Sequence, residues 1–279
     1  MSNESINSVE IACQNEYDTL RKVIVCEPKF MTSAIQKHNQ DGDIKIEQAI
    51  DQHHVFVAKM RAEGIDVITL PPNKLYPEQV FTRDIGFTMG HQLFISNMGS
   101  SSRQGEEMVL VKWLEKQRLP FQKISKNHIE GGDVLIDSKT IFVGVSSRSS
   151  LQAIAQLQIE LPTYEVVPIP FNSKYLHLDC VFNILSPTQA LIFPPAFNSE
   201  TLEFLSKRYQ LIEVSEEEQS TAGTNVLSIG HNKLFSLASN TQVNGNMRAN
   251  GYEVIEVDFS EIIKAEGAFR CCTLPIERR

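Results

Sequence analysis

Five short apolar runs punctuate the chain, each rich in Val, Ile, Leu or Phe and bounded by turn-forming residues: KVIVCEP (22–28), HQLFISN (91–97), TIFVGV (140–145), QALIFP (189–194) and KLFSLAS (233–239). Runs this short and this rich in β-branched residues predict strands. Each of the last four follows a similar run, RDIGFTMG, EGGDVLID, HLDCVFNIL or TNVLSIG, with GHQ, DSKT, SPTQ and GHNK as the hairpin turns between them. Apolar residues then recur at helical spacing, as in 103–117, 149–158 and 199–210. A further short strand closes each unit: FQKIS, YEVVPIP, LIEVS, YEVIEVD and, for the N-terminal unit, IDVITL. RCCTLPI has no hairpin partner downstream, so its natural partner is the N-terminal strand 22–28.

The unit strand, strand, helix, strand thus recurs five times once the termini are joined, which predicts a closed α/β ring formed by residues 1–279 as one domain. The positions that open the strands are Asp84, Glu130, His177, Thr224 and Cys271, separated by 46, 47, 47 and 47 residues on subtraction. Equivalent positions in a ring lie at equivalent radius. Two carboxylates, an imidazole and a thiol are therefore expected to converge on one cavity. Asp179 lies two residues beyond His177, and a strand would turn both to the same face.

Composition narrows the class of function. The chain of 279 residues is 42% hydrophobic and 22% charged, the proportions of a globular protein. No apolar run approaches the roughly 20 residues of a membrane span, and the N-terminal run MSNESINSVEIACQNEYD is polar and acidic, so a cytoplasmic protein without membrane contact is expected. Five cysteines without paired spacing suggest neither a disulfide framework nor a zinc site. A formal net charge of -8 argues against nucleic acid and suits a small cationic substrate. No cofactor or metal is called for, and a homodimer is left open.

These residues resemble the guanidino-modifying (pentein) superfamily, which contains dimethylarginine dimethylaminohydrolases, arginine deiminases and amidinotransferases. The resemblance is carried by EYDTLRKVIVCEP, FTRDIGF (81–87), SSSRQGEE (100–107), IEGGDVLI (129–136), HLDCVFNIL (177–185) and CCTLPIERR, in that order. It implies a fivefold pseudosymmetric β/α propeller of ββαβ units. It also implies that Cys271 is the nucleophile, His177 the general acid and base, and Glu130 the carboxylate that orients it. Asp84 and Asp179 would hold the guanidinium, and Arg103 and Arg148 would bind the substrate's α-carboxylate. Ring register and family pattern both favour Cys271 over Cys272, which would pack on the opposite face. FTR before Asp84, and the carboxylate at Asp179, depart from the dimethylaminohydrolase pattern toward the deiminases and amidinotransferases.

The implied chemistry suits the residue types. A guanidinium is planar, delocalised and protonated, so its carbon needs a nucleophile stronger than water, and a thiolate supplies one. Charge in the adduct lies on nitrogen, so carboxylates are the appropriate stabilisers. An imidazole can protonate the leaving amine and then activate water. The implied activity is hydrolysis of an arginine derivative; transfer of the amidino group to an amine is the alternative, and a non-catalytic propeller binding a macromolecule is the rival from another class. Elsewhere, His53 and His54 are expected to be partly exposed on a helix, and Trp113 and Phe204 to pack on helix stripes. GNMRANG (245–251) is expected to be a connection rather than a phosphate loop.

Overall fold

The structure, a computed structural model, describes residues 9–32, 43–124 and 126–279. The first eight residues of the polar N-terminal run, and Ser125 at the end of FQKIS, lie outside the described residues. Among the described residues, five three-stranded sheets are arranged as the repeat predicts. In the first, β1 (Leu20–Cys26) is flanked by parallel β2 (Asp66–Leu70) and by antiparallel β15 (Leu274–Arg278). The N- and C-terminal strands therefore close the ring, with Ile24 opposite Leu274.

Each remaining sheet is a hairpin followed by a helix and a parallel strand. The second holds β3 (Gly86–Met89), β4 (Gln92–Ile95) and β5 (Phe121–Lys123); the third, β6 (Val134–Asp137), β7 (Thr140–Val145) and β8 (Glu165–Pro170). The fourth holds β9 (Phe182–Ser186), β10 (Gln189–Ile192) and β11 (Gln210–Glu213); the fifth, β12 (Leu227–Gly230), β13 (Lys233–Leu237) and β14 (Glu253–Val257). The crossover helices are α1 (Ile46–Ala62), α2 (Glu107–Gln117), α3 (Leu151–Glu160), α4 (Ser199–Ser206) and α6 (Thr241–Ala249), with a short additional α5 (Glu216–Gln219).

Apolar helix faces are buried against the sheets, which is the main source of helix stability in a folded protein. Phe56 of α1 is fully buried and meets Phe235, Phe259 and Phe269 edge-on, joining the first sheet to the fifth. Ser150, Asn198 and Ser215 cap α3, α4 and α5 with side-chain oxygens that accept N–H groups of the first turn.

Three expectations change. GNMRANG is largely the second half of α6 rather than a connection, because Val243 and Met247 bury a stripe that outweighs the low helix propensity of Gly and Asn. His53 is buried at 2% exposure, whereas His54 is exposed and pairs with Glu27. Phe204 is 40% exposed, its ring T-shaped to that of Phe142, while Trp113 packs half-buried on the cluster around Leu110.

Candidate active site

The opening positions stand in turns ahead of the strands, not in the strands themselves. Glu130 has extended backbone, Gly131–Asp133 forms one 3-10 turn, and β6 starts only at Val134. His177 is likewise extended, followed by the 3-10 turn Leu178–Cys180, with β9 starting at Phe182. The expected strand alternation of His177 and Asp179 therefore fails; a turn carries both. Asp133 ties the two turns together, accepting the Leu178 N–H at 2.9 Å and the Ser146 hydroxyl at 2.6 Å. Burial raises its carboxyl to about 6 despite these bonds and the charge of His177.

The two glycines between Glu130 and Asp133 are required by space. A Cβ at Gly131 would overlap the carbonyl oxygens of Arg83 and Gly86, and one at Gly132 would stand 2.7 Å from Asp84 Oδ1 and from His177 Nδ1. The backbone of Gly132 is thus the wall against which Asp84 and His177 meet.

Around that wall runs a buried chain of charges. His177 Nε2 lies 2.7 Å from Glu130 Oε2, and its Nδ1 lies 3.6 Å from Asp84 Oδ1. Burial alone would lower the imidazole, but the Asp84 charge and the Glu130 hydrogen bond outweigh it and raise His177 to about 9. Burial likewise opposes ionisation of Glu130, yet the bond to His177 holds this carboxyl low, at about 2. Arg103, 1% exposed, donates to Asp84 Oδ2 at 2.6 Å and to Glu106 at 2.7 Å. Arg148 reaches Glu130 at 3.3 Å and keeps 12% of its side chain exposed.

The second half of the site centres on Cys271, 4% exposed. Among the described residues its Sγ has two hydrogen-bond partners, the Asn225 side-chain amide at 3.0 Å and Asp179 Oδ2 at 3.5 Å. Burial and then the Asp179 charge push its thiol well up. Asp179 is held by Arg270 at 2.7 Å, and Arg270 in turn by Glu16 at 3.0 Å and the Val134 carbonyl at 2.8 Å. Cys272 is fully buried within the apolar cluster that includes Phe56 and Phe269. Thr224, the remaining register position, turns its hydroxyl to the Cys180 carbonyl at 2.6 Å.

Asp84, Glu130 and His177 are thus brought into one group, and Asp179 with Cys271 into another, while Arg103 lies enclosed beneath Asp84. Sequence reasoning missed Asn225, Arg270, Glu16, Asp133 and Glu106. Asn225 and Arg270 are the chain neighbours of register positions Thr224 and Cys271, a signal that was present. A cavity of about 680 Å³ reaches the flank of the site, with Asn225 and Cys180 in its wall; a separate one of about 630 Å³, beside Phe30 and Trp113, contains none of these residues. Asp84, Glu130 and His177 offer ligand atoms within 4.8 Å of one another, as a metal would require, but the His177–Glu130 pair already satisfies itself without one. No described helix is long and apolar enough to cross a membrane.

A propeller of five ββαβ units with carboxylates, histidine and cysteine in its opening turns defines a class of enzymes that act on guanidino groups. The family described as N,N dimethylarginine dimethylhydrolase, eukaryotic, matches residues 26–278, and the chain belongs to that family within the pentein superfamily. An uncharacterized protein of Bacillus subtilis, YkgA, is 47% identical over 271 residues, covering 95% of each chain. The N(G),N(G)-dimethylarginine dimethylaminohydrolase of Mycobacterium tuberculosis is 27% identical over 84% of this chain and 77% of its own. In fold, the chain is similar to SxtG, an amidinotransferase from Microseira wollei, with TM-score 0.86 and 18% identity over 96% of this chain and 97% of that one.

Proposed function

We propose that the protein hydrolyses the guanidino carbon of an arginine derivative through a covalent intermediate on Cys271. The observation that carries this reading is the placement of Asp84 beside His177 Nδ1 and of Asp179 beside Cys271 Sγ, the two groups being joined where the N–H of Arg83, the neighbour of Asp84, donates to the Cys271 carbonyl oxygen at 3.0 Å. Two carboxylates so placed can each accept N–H donors from a planar cation. Arrival of that cation offsets the Asp179 charge beside the sulfur and favours the thiolate, the thiol's proton passing to solvent.

The thiolate then attacks the guanidino carbon, forming a C–S bond and a tetrahedral adduct. His177, protonated at neutral pH in its raised state, gives its proton to the leaving amine as the C–N bond breaks. The neutral imidazole takes a proton from water, whose oxygen attacks the thiouronium carbon. Collapse breaks the C–S bond as the adduct's hydroxyl gives its proton to the departing sulfur, which restores the Cys271 thiol and releases a neutral ureido product. Glu130 fixes the ring's orientation throughout.

The two arginines divide their work in this reading. Arg148, partly exposed and held only at 3.3 Å, is free to meet an α-carboxylate, whereas Arg103 is enclosed and holds Asp84. The test is a panel of arginine, methylated arginines, agmatine and guanidino acids, assayed for ureido product with and without an acceptor amine. Ureido product from at least one arginine derivative is expected; amidinated acceptor without ureido product would replace hydrolysis by transfer, and no turnover of any guanidine would overturn the reading.

A further inference from the structure

We propose that Asn225 is a further catalytic residue, whose side-chain amide holds the Cys271 sulfur and donates an N–H to its thiolate. This role rests on the reading of Cys271 as the nucleophile. The geometry leaves the orientation of the amide no freedom. Asn225 Oδ1 accepts the backbone N–H of Cys271 at 3.1 Å and that of Ala268 at 3.3 Å. Both partners are donors, so the atom facing them is the oxygen, and Nδ2 faces the sulfur. Its other contact is the Asp179 carbonyl oxygen at 3.3 Å. Oxygen and nitrogen are thus both employed, in a residue 1% exposed. The Asn225 carbonyl oxygen also receives the Arg270 N–H at 3.4 Å, so one residue grips the nucleophile's loop at three of its backbone amides.

The donor is placed where the chemistry lacks one. As a thiol, Cys271 can donate to Asp179 Oδ2; as a thiolate it faces that same carboxylate, and burial adds to the cost. Asn225 Nδ2 is the one hydrogen-bond donor on the sulfur among the described residues. A neutral amide suits this task, because it stabilises the thiolate without competing for the carboxylates that the cationic substrate needs. Asn225 also lies in the wall of the 680 Å³ cavity, which places this residue between the open space and the sulfur it contacts.

The experiment follows the sulfur itself. Alkylation of Cys271 by iodoacetamide is measured against pH, located by peptide fragmentation, in the wild type and in Asn225→Ala. The expected result is a midpoint moved to higher pH and alkylation slowed about 10- to 100-fold at pH 8, as loss of a hydrogen bond to a charged group implies. kcat should fall by a similar factor with KM little changed. A second measurement needs no substitution at Asn225: its side-chain amide nitrogen resonance should titrate with the alkylation midpoint, and the titration should vanish in Cys271→Ser. An alkylation profile unmoved in Asn225→Ala, or an amide resonance that ignores Cys271, would overturn the role of Asn225. Turnover retained by Cys271→Ser would instead overturn the nucleophile assignment, and the catalytic role with it, while the alkylation profile would still report the contact between the two residues.

Discussion

Arg270 Nη1 lies 2.7 Å from Asp179 Oδ2, so the residue before the proposed nucleophile is tied to the carboxylate that faces its sulfur. The same guanidinium binds Glu16, 254 residues away in the chain, and thereby fastens the N-terminal segment to the centre of the ring. Removing one partner of such a pair leaves a buried charge uncompensated, at a cost of about 3–5 kcal/mol. Arg270→Met is therefore expected to lose about that much stability in urea unfolding, and Glu16→Gln less, because Arg270 keeps Asp179 and the Val134 carbonyl. A loss below about 1 kcal/mol for Arg270→Met would contradict the structural role given to this network.

The glycines of the EGGD turn should separate folding from geometry. A Cβ at Gly131 meets two backbone carbonyls that cannot move aside, so Gly131→Ala is expected to be severely destabilised or insoluble. At Gly132 the Cβ meets the side chains of Asp84 and His177, which can shift. Gly132→Ala should fold yet lose about 100-fold or more in kcat, since small displacements of positioned groups cost that much. Wild-type turnover by folded Gly132→Ala would show that Asp84 and His177 need not meet as described.

The pairing of His177 with Glu130 has a definite pH signature. His177 titrates above its ordinary 6.5 in the folded protein, at about 9, so the folded state holds this proton more tightly than the unfolded chain. Its contribution is whole below about pH 6.5 and is lost as pH rises through about 9. Glu130, held low, contributes above its ordinary 4.5 and loses this as pH falls toward 2. Asp133, raised to about 6, acts in the opposite sense to Glu130, its contribution being lost as pH rises through about 6. The stability difference between wild type and His177→Gln should therefore decline between pH 6.5 and 9. A flat difference across that range would mean that the imidazole is not held protonated.

Much of this arrangement is legible in the sequence. The spacing of 46 and 47 residues from Asp84 to Cys271 survives folding because four sheets repeat one hairpin, helix and parallel strand, and the fifth repeats the same pairing with its antiparallel strands drawn from the two ends of the chain. The local geometry was not legible, because GGD and LDC close 3-10 turns where apolar periodicity suggests continuous strands. Long-range partners were hidden for another reason. Nothing in the run around Glu16 marks it as the counterion of Arg270, since burial creates that need only after the ring closes. His53 shows the same limit, for helical periodicity does not tell how far around α1 the buried face extends.

The central claim is that Cys271 carries the substrate's guanidino carbon during turnover. Its most direct test is acid quench of the enzyme during reaction with an arginine derivative that the panel shows to be turned over, followed by mass analysis of the peptide that contains Cys271 and Cys272. An added amidine-derived mass is expected, located by fragmentation on Cys271, present in Cys272→Ser and absent from Cys271→Ser, which should also be inactive. An adduct on Cys272, or full turnover by Cys271→Ser, would contradict it.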